Sequence, residues 1–182
     1  MISHEHKCIF IHQRKCAGVS IIHSFGITSP ENPDWHFMND GVLSHDYHVR
    51  PPDYHRFTVV RNPWDRFVSG WLYCEDTRHV PLRDLLRNLP LLGHDYVHLT
   101  RLQRDVLYDQ VGYLVVEDLV RFESLQADFD RVCDKIRKPR AKLPELNRQS
   151  HPPYQTYFAS QIDRDLFRRH FQRDLDAFGY DF

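Results

Sequence analysis

The stretch that most limits how this chain can fold runs from Cys8 to Ser20. It opens with a short apolar run, Cys8 to Ile11, then turns through a basic pair, Arg14 and Lys15, and the small residues Cys16, Ala17 and Gly18. Apolar spacing resumes at Val19 and continues through Ile21, Ile22 and Phe25. That order reads as a buried strand, a tight loop and the first turn of a helix. Backbone N–H groups at a helix start, with the helix dipole behind them, favour an anion. Small residues admit the anion closely, Lys15 adds a point charge and Ser20 a hydroxyl, so the stretch is a candidate cradle for a phosphate or phosphosulfate. A Walker A loop requires Gly-x-x-x-x-Gly-Lys-Ser/Thr. Here Lys15 precedes Gly18 and no Ser or Thr directly follows it, so the Mg²⁺-holding pair of that motif is missing.

A second unit of the same kind follows. Phe57 to Val60 is short and rich in β-branched residues, as a buried parallel strand is. Arg61 comes next, then Asn62 as a helix cap and Pro63 at the first helical position. Arg66, Ser69 and Gly70 share one face of that helix. Arg61 and Ser69 are therefore placed to converge on one oxyanion.

Further along, Pro81 to Leu92 reads as a short helix, and His98 to Asp105 as a loop or helix start. Leu119 to Phe122 reads as a core strand, with Tyr113 to Val116 as its hairpin neighbour. Glu123 to Ile136 carries the spacing of an amphipathic helix, and a final helix is expected from Ser160 to Asp174. Alternating strands and helices predict a three-layer α/β/α domain around a mostly parallel sheet. Ligands of such sheets bind beyond the carboxyl ends of the strands, where both basic loops fall. At 182 residues a single domain, 1–182, is expected.

The net charge of −1 argues against a broad nucleic-acid surface while allowing a local basic pocket. The four cysteines are far apart and lack a Cys-x-x-Cys pair, which reads as reduced thiols rather than a zinc knuckle or disulfide framework. The start of the chain has no signal-type apolar region, and no apolar run reaches membrane-spanning length. The expectation is a soluble, cytoplasmic protein without stable membrane insertion; a truncated membrane-anchored enzyme would read the same way.

In order along the chain, Phe10 to Ser20 and Val60 to Ser69 resemble the two cofactor motifs of the PAPS-dependent sulfotransferases (PAPS, 3′-phosphoadenosine 5′-phosphosulfate). The likeness is closest to the carbohydrate-type branch of heparan and chondroitin sulfotransferases and their bacterial relatives. It continues through Arg121 to Phe129, Leu146 to His151 and Phe178 to Tyr180. The resemblance implies a P-loop NTPase-like fold and transfer of a sulfuryl group from PAPS to an acceptor hydroxyl, without a metal. It implies that Lys15 meets the bridging oxygen of the donor. Arg14, Cys16, Ala17, Gly18, Val19 and Ser20 would surround the 5′-phosphate, largely through backbone amides. Arg61 and Ser69 would clamp the 3′-phosphate, and Arg148, Ser150 and His151 would line a lid over the nucleotide. In the interval where the family places its general base stand His45, the favoured candidate, and His48.

The first loop departs from the family's Pro-Lys-Thr-Gly-Gly-Thr-Ser. Arg14 replaces the proline, Cys16 and Val19 the two threonines, and Ala17 a glycine. Two hydroxyl contacts are lost, which shifts the load to amides and Arg14. The acceptor could be a glycan, a glycolipid or a small metabolite, and the oligomeric state is open. Two other readings stand beside this one: a small Mg²⁺- and ATP-dependent kinase, and a non-catalytic nucleotide-binding protein of the same fold.

Overall fold

The structure, a computed structural model, describes residues 1–28, 53–93, 96–147 and 150–182. It is mixed α/β, with helices and a four-stranded, mostly parallel sheet. The chain divides into two compact units: Met1–Arg61 with Asp105–Arg148, and Asn62–Arg104 with Gln149–Phe182.

The first unit holds the sheet, in the order β1 (Ile2–Ser3), β2 (Cys8–Ile11), β3 (His55–Val60) and β4 (Asp118–Arg121). Every residue of β2 is buried, which is why its sequence is a continuous apolar run instead of an alternation. β2 and β3 are parallel, with Phe10 opposite Phe57, and β3 and β4 are parallel, with Val60 opposite Arg121. β1 pairs antiparallel to β2, Ile2 opposite Ile9. Two residues carry no alternation from which a strand can be read. Helix α1 (Gly18–His23) follows β2, and α6 (Leu125–Lys135) packs on β4. Between them lies an apolar core that includes Phe10, Ile21, Phe57, Val59, Phe129 and Val132. The Phe57 ring lies 5.1 Å from Phe10 and 6.0 Å from Phe129. At the opposite edge of the sheet from the strand carboxyl ends, Asp118 accepts from Lys135 Nζ at 2.6 Å and pairs with His55 Nε2 at 2.6 Å.

Two expectations change in this unit. Tyr113 to Val116 is not a strand. Tyr108 and Leu114 form one isolated antiparallel bridge, and the Asp109 carboxylate accepts from the N–H groups of Val111 and Tyr113 at 3.0 and 2.8 Å. A side chain that satisfies these amides builds a turn, and the apolar side chains of Val111 and Tyr113 are left exposed. The β4 strand also ends one residue earlier than expected, and Phe122 opens a 3-10 turn, Phe122–Ser124, ahead of α6.

In the second unit are α2 (Pro63–Tyr73), α3 (Leu82–Asn88), α4 (Val97–Thr100) and α7 (Gln161–Phe178), with α5 (Arg104–Leu107) starting at the unit boundary. Its core is aromatic: Trp64 stacks on Phe167 at 3.9 Å, and Phe167 on Phe171 at 4.4 Å. α2 carries Gly70 where the His98 carbonyl passes. A Cβ there would stand 2.7 Å from that oxygen, so only glycine permits the approach. α7 runs four residues beyond the expected Asp174, to Phe178, and stops at Gly179 in a left-handed C-cap. Asp174 is fully buried and accepts from the N–H groups of Gln103 and Arg104 at 2.9 and 2.8 Å. Burial pushes its carboxyl up, and the Arg66 charge and the two amides oppose that. Arg66 is buried too and donates to the Arg101 carbonyl, an interior role instead of a surface ion pair.

Candidate active site

β2 and β3 run parallel and end at the same edge of the sheet, so the loop of residues 12–17 and Arg61 emerge together. The loop is shaped by two non-glycine residues in the left-handed region, Lys15 at φ 65° and Ala17 at φ 57°. Ala17 caps α1 without a side-chain hydrogen bond to the helix start. Left-handed residues within a tight turn direct successive backbone N–H groups toward one concavity, a common anion-binding arrangement.

Each expected loop residue can be placed. Lys15 and Arg14 are half-buried. Cys16 is fully buried in the sheet core, with its thiol directed at the Arg14 carbonyl at 3.4 Å. Its side chain is therefore a packing element, and what it can offer a ligand is its amide. Gly18 is required by a neighbour: a Cβ there would stand 1.7 Å from Cδ2 and 2.0 Å from Nε2 of His12. The His12 ring thus rests on the first residue of α1. Ser20 is buried, and its hydroxyl accepts from the Leu146 N–H at 3.4 Å. That ties the segment after α6 to α1.

Arg61 is only 8% exposed. Its Nη1 donates to the Lys15 carbonyl at 2.9 Å, and its Cζ stands 4.2 Å from the centre of the Phe122 ring. The guanidinium is therefore in contact with an aromatic ring and with the backbone of the loop that carries Lys15. Phe122 is held in turn. The Asp128 carboxylate on α6 accepts from the Arg121 N–H at 2.9 Å and from Arg131 Nη2 at 2.8 Å. Burial disfavours the Asp128 charge, but bonds from the Arg121 amide, the Ser124 hydroxyl and Arg131 outweigh it and hold the carboxyl below its ordinary range.

The bond from Arg61 to the Lys15 carbonyl joins two basic turns. Residues 1–90 match the family model described as Sulfotransferase family. The match supports a sulfotransferase family for the chain. It covers just under half of the 182 residues and contains the Lys15 loop, Arg61 and Ser69. No curated protein and no solved structure matches the chain.

The other sulfotransferase candidates are placed as follows. In the second unit, Ser69 is buried on α2, whose start is capped by Asn62 Oδ1 accepting from the Trp64 N–H at 3.0 Å. Ser150 is exposed. His151 reaches back to α2, its Nε2 3.8 Å from Asp65 Oδ1. His45, His48 and Arg148 lie outside the described residues. Among the described residues there is no group of three or more His, Cys, Asp or Glu side chains that could hold a metal ion, and no helix is long and apolar enough to cross a membrane.

Three residues near the site escape a reading of the sequence. His12 leaves one trace there, a glycine placed where a ring must pass. Phe122 leaves none, because its role depends on the register between β3 and β4. Gln13, 4% exposed, has an Nε2 with no hydrogen-bond partner among the described residues. Beside a charged loop it reads as an ordinary polar residue.

Proposed function

We propose that the chain is a carbohydrate-type sulfotransferase that moves a sulfuryl group from PAPS to an acceptor hydroxyl of a glycan, glycolipid or small metabolite. The reading includes a three-layer, P-loop NTPase-like fold, one functional domain spanning 1–182, action in the cytoplasm and no metal cofactor. The observation that carries it is the 2.9 Å bond from Arg61 Nη1 to the Lys15 carbonyl, since it ties the Arg61 guanidinium to the backbone of the loop that carries Lys15, and an adenylate with anionic groups at both its 3′ and 5′ positions calls for basic residues from two such turns.

The donor set suits the group. An aromatic-backed guanidinium fits a phosphate dianion, and a lysine beside left-handed backbone fits a second anion. Bound PAPS supplies the activated sulfuryl: the acceptor oxygen bonds to sulfur, the bond from sulfur to the bridging oxygen breaks, and adenosine 3′,5′-bisphosphate (PAP) leaves. Lys15 neutralises the charge that gathers on that bridging oxygen. The amides of Arg14 to Ser20 hold the 5′-phosphate. Arg61, with Ser69, binds the 3′-phosphate, and Arg148 and Ser150 cover the nucleotide. His45 or His48 takes the acceptor proton. Catalysis of this kind is positioning and charge stabilisation, which such residues provide.

Thermal unfolding with added nucleotide tests the reading. PAP at a hundredfold excess over its dissociation constant adds about 2.7 kcal/mol to stability, and ATP, with or without Mg²⁺, adds far less. Equal shifts from PAP and ATP would sink the sulfotransferase reading, and a shift that needs both ATP and Mg²⁺ would replace it with the kinase. PAP binding without turnover on a panel of hydroxyl acceptors would leave the non-catalytic protein.

A further inference from the structure

Arg61 follows β3, and Phe122 follows β4. Val60 lies opposite Arg121 in the parallel pair, so the next residue of each strand is also a neighbour of the other. The guanidinium of Arg61 settles over the Phe122 ring with Cζ 4.2 Å from its centre. Stacking occupies the face of a guanidinium, while its hydrogen bonds leave from the edge. A ring beneath Arg61 therefore limits the positions open to the guanidinium and the directions in which its N–H groups point. One of those groups reaches the Lys15 carbonyl, which belongs to a residue held at φ 65°.

The ring itself has little freedom. Phe122 packs against the core that includes Val120 and Phe129. Its backbone is fixed one residue earlier, where Asp128 accepts from the Arg121 N–H at 2.9 Å. A rigid support under a phosphate-binding cation keeps the cation's geometry ready before the ligand arrives, and preorganisation of this kind raises affinity without adding a contact to the ligand.

We propose that Phe122 is a positioning residue for the 3′-phosphate of the nucleotide: its ring sets the plane of the Arg61 guanidinium and, through the bond to the Lys15 carbonyl, the posture of the Lys15 loop. This rests on the sulfotransferase reading above. Phe122 itself lies outside residues 1–90, the part of the chain that matches the family model. The selectivity conferred by Arg61 then depends on an aromatic ring at 122, whereas a merely apolar side chain there keeps the fold and loses the selectivity.

Calorimetric titration of PAP and of adenosine 5′-monophosphate, which lacks the 3′-phosphate, measures that selectivity as a ratio of affinities. The proteins compared are the unaltered chain, Phe122→Leu, Phe122→Met and Phe122→Tyr. Leucine and methionine keep an apolar side chain and remove the ring; tyrosine keeps the ring. The expected result is a PAP preference in the unaltered chain that falls about 5- to 30-fold in whichever of the Leu and Met variants unfolds cooperatively, the size of a desolvated cation–π contact. In Phe122→Tyr it is retained. A preference unchanged without the ring, an equal loss of affinity for both nucleotides, or a loss that tyrosine does not restore overturns the positioning role and leaves the sulfotransferase reading in place. If the unaltered chain shows no preference for PAP, that reading fails, and this inference fails with it.

Discussion

After β2 the chain passes through two left-handed non-glycine residues, Lys15 and Ala17, and enters a six-residue helix that no side chain caps. After β3 it needs only Arg61 and Asn62 before an eleven-residue helix with an Asn62 cap and Pro63 at its start. The second junction is built from residues that favour the conformation they adopt. The first is built against local preference, since an L-residue in the left-handed region is disfavoured by roughly 1–2 kcal/mol. Such strain persists only where the surroundings enforce it. Around the first junction they do: Cys16 is locked in the core, His12 lies on Gly18, Arg61 holds the Lys15 carbonyl, and Leu146 holds Ser20. One junction stabilises the fold, and the other is held in shape by it.

The largest expected effect separates the two by activity. Lys15→Ala removes a half-buried cation whose side chain has no part in either core cluster. If the first junction exists to neutralise a leaving group, turnover falls by about 10²–10³, the size seen when one preorganised stabiliser of developing charge is lost. The unfolding temperature stays within a degree or two of the parent. Sulfuryl transfer from PAPS measured beside a thermal scan checks both parts. A variant that keeps full turnover, or loses it only by unfolding, removes the functional half of the contrast.

How far these junctions are legible in the sequence follows from how local their causes are. Asn62 and Pro63 announce the second helix because a cap and a fixed φ act over one or two residues, and the structure places α2 where they predict. β2, β3 and α6 are legible from runs and spacing. Cys16 is different: its neighbours mark it as a loop residue, yet its side chain lies in the core, with a left-handed residue on either side of it. Tyr113 to Val116 has strand-like composition, but the turn held by Asp109 decides the backbone there. Arg66 and Asp174 look like surface charges, since nothing nearby in sequence shows that each meets its partners only after folding. Phe122 belongs to this group as well. Its contact with Arg61 joins residues 61 apart in number, and only the β3–β4 register brings them together.

The next effect down concerns the second junction alone. Asn62→Ala deletes the side chain that accepts from the Trp64 N–H at 3.0 Å. Loss of an asparagine cap costs about 1 kcal/mol, which for a domain of this size lowers the unfolding temperature by about 2–4 °C. Arg61 precedes the cap and keeps its own bond to Lys15. Nucleotide affinity at a temperature well below unfolding is therefore expected to change less than twofold. A thermal scan and a PAP titration on the same sample decide the matter. A tenfold loss of affinity would mean that the cap also sets the ligand geometry, and the contrast between a structural and a functional junction would blur.

The smallest effect has the opposite sign. Ala17→Gly places at φ 57° the residue that adopts this conformation without steric penalty. Relief of the left-handed strain exceeds the added flexibility of the unfolded chain, and the net gain is about 0.5 kcal/mol. Denaturant unfolding resolves a change of that size when the slope is unaltered. The same freedom lets the loop leave the shape that gathers its amides, so PAP binding weakens a few-fold while the protein becomes more stable. Replacing a residue at the second junction by glycine offers no such trade, because nothing there is strained. A loss of stability in Ala17→Gly, or a gain of stability with unchanged binding, would show that the left-handed turn is incidental to the ligand. A gain in stability paired with weaker binding is the signature of a loop held in a disfavoured shape for the sake of the anion.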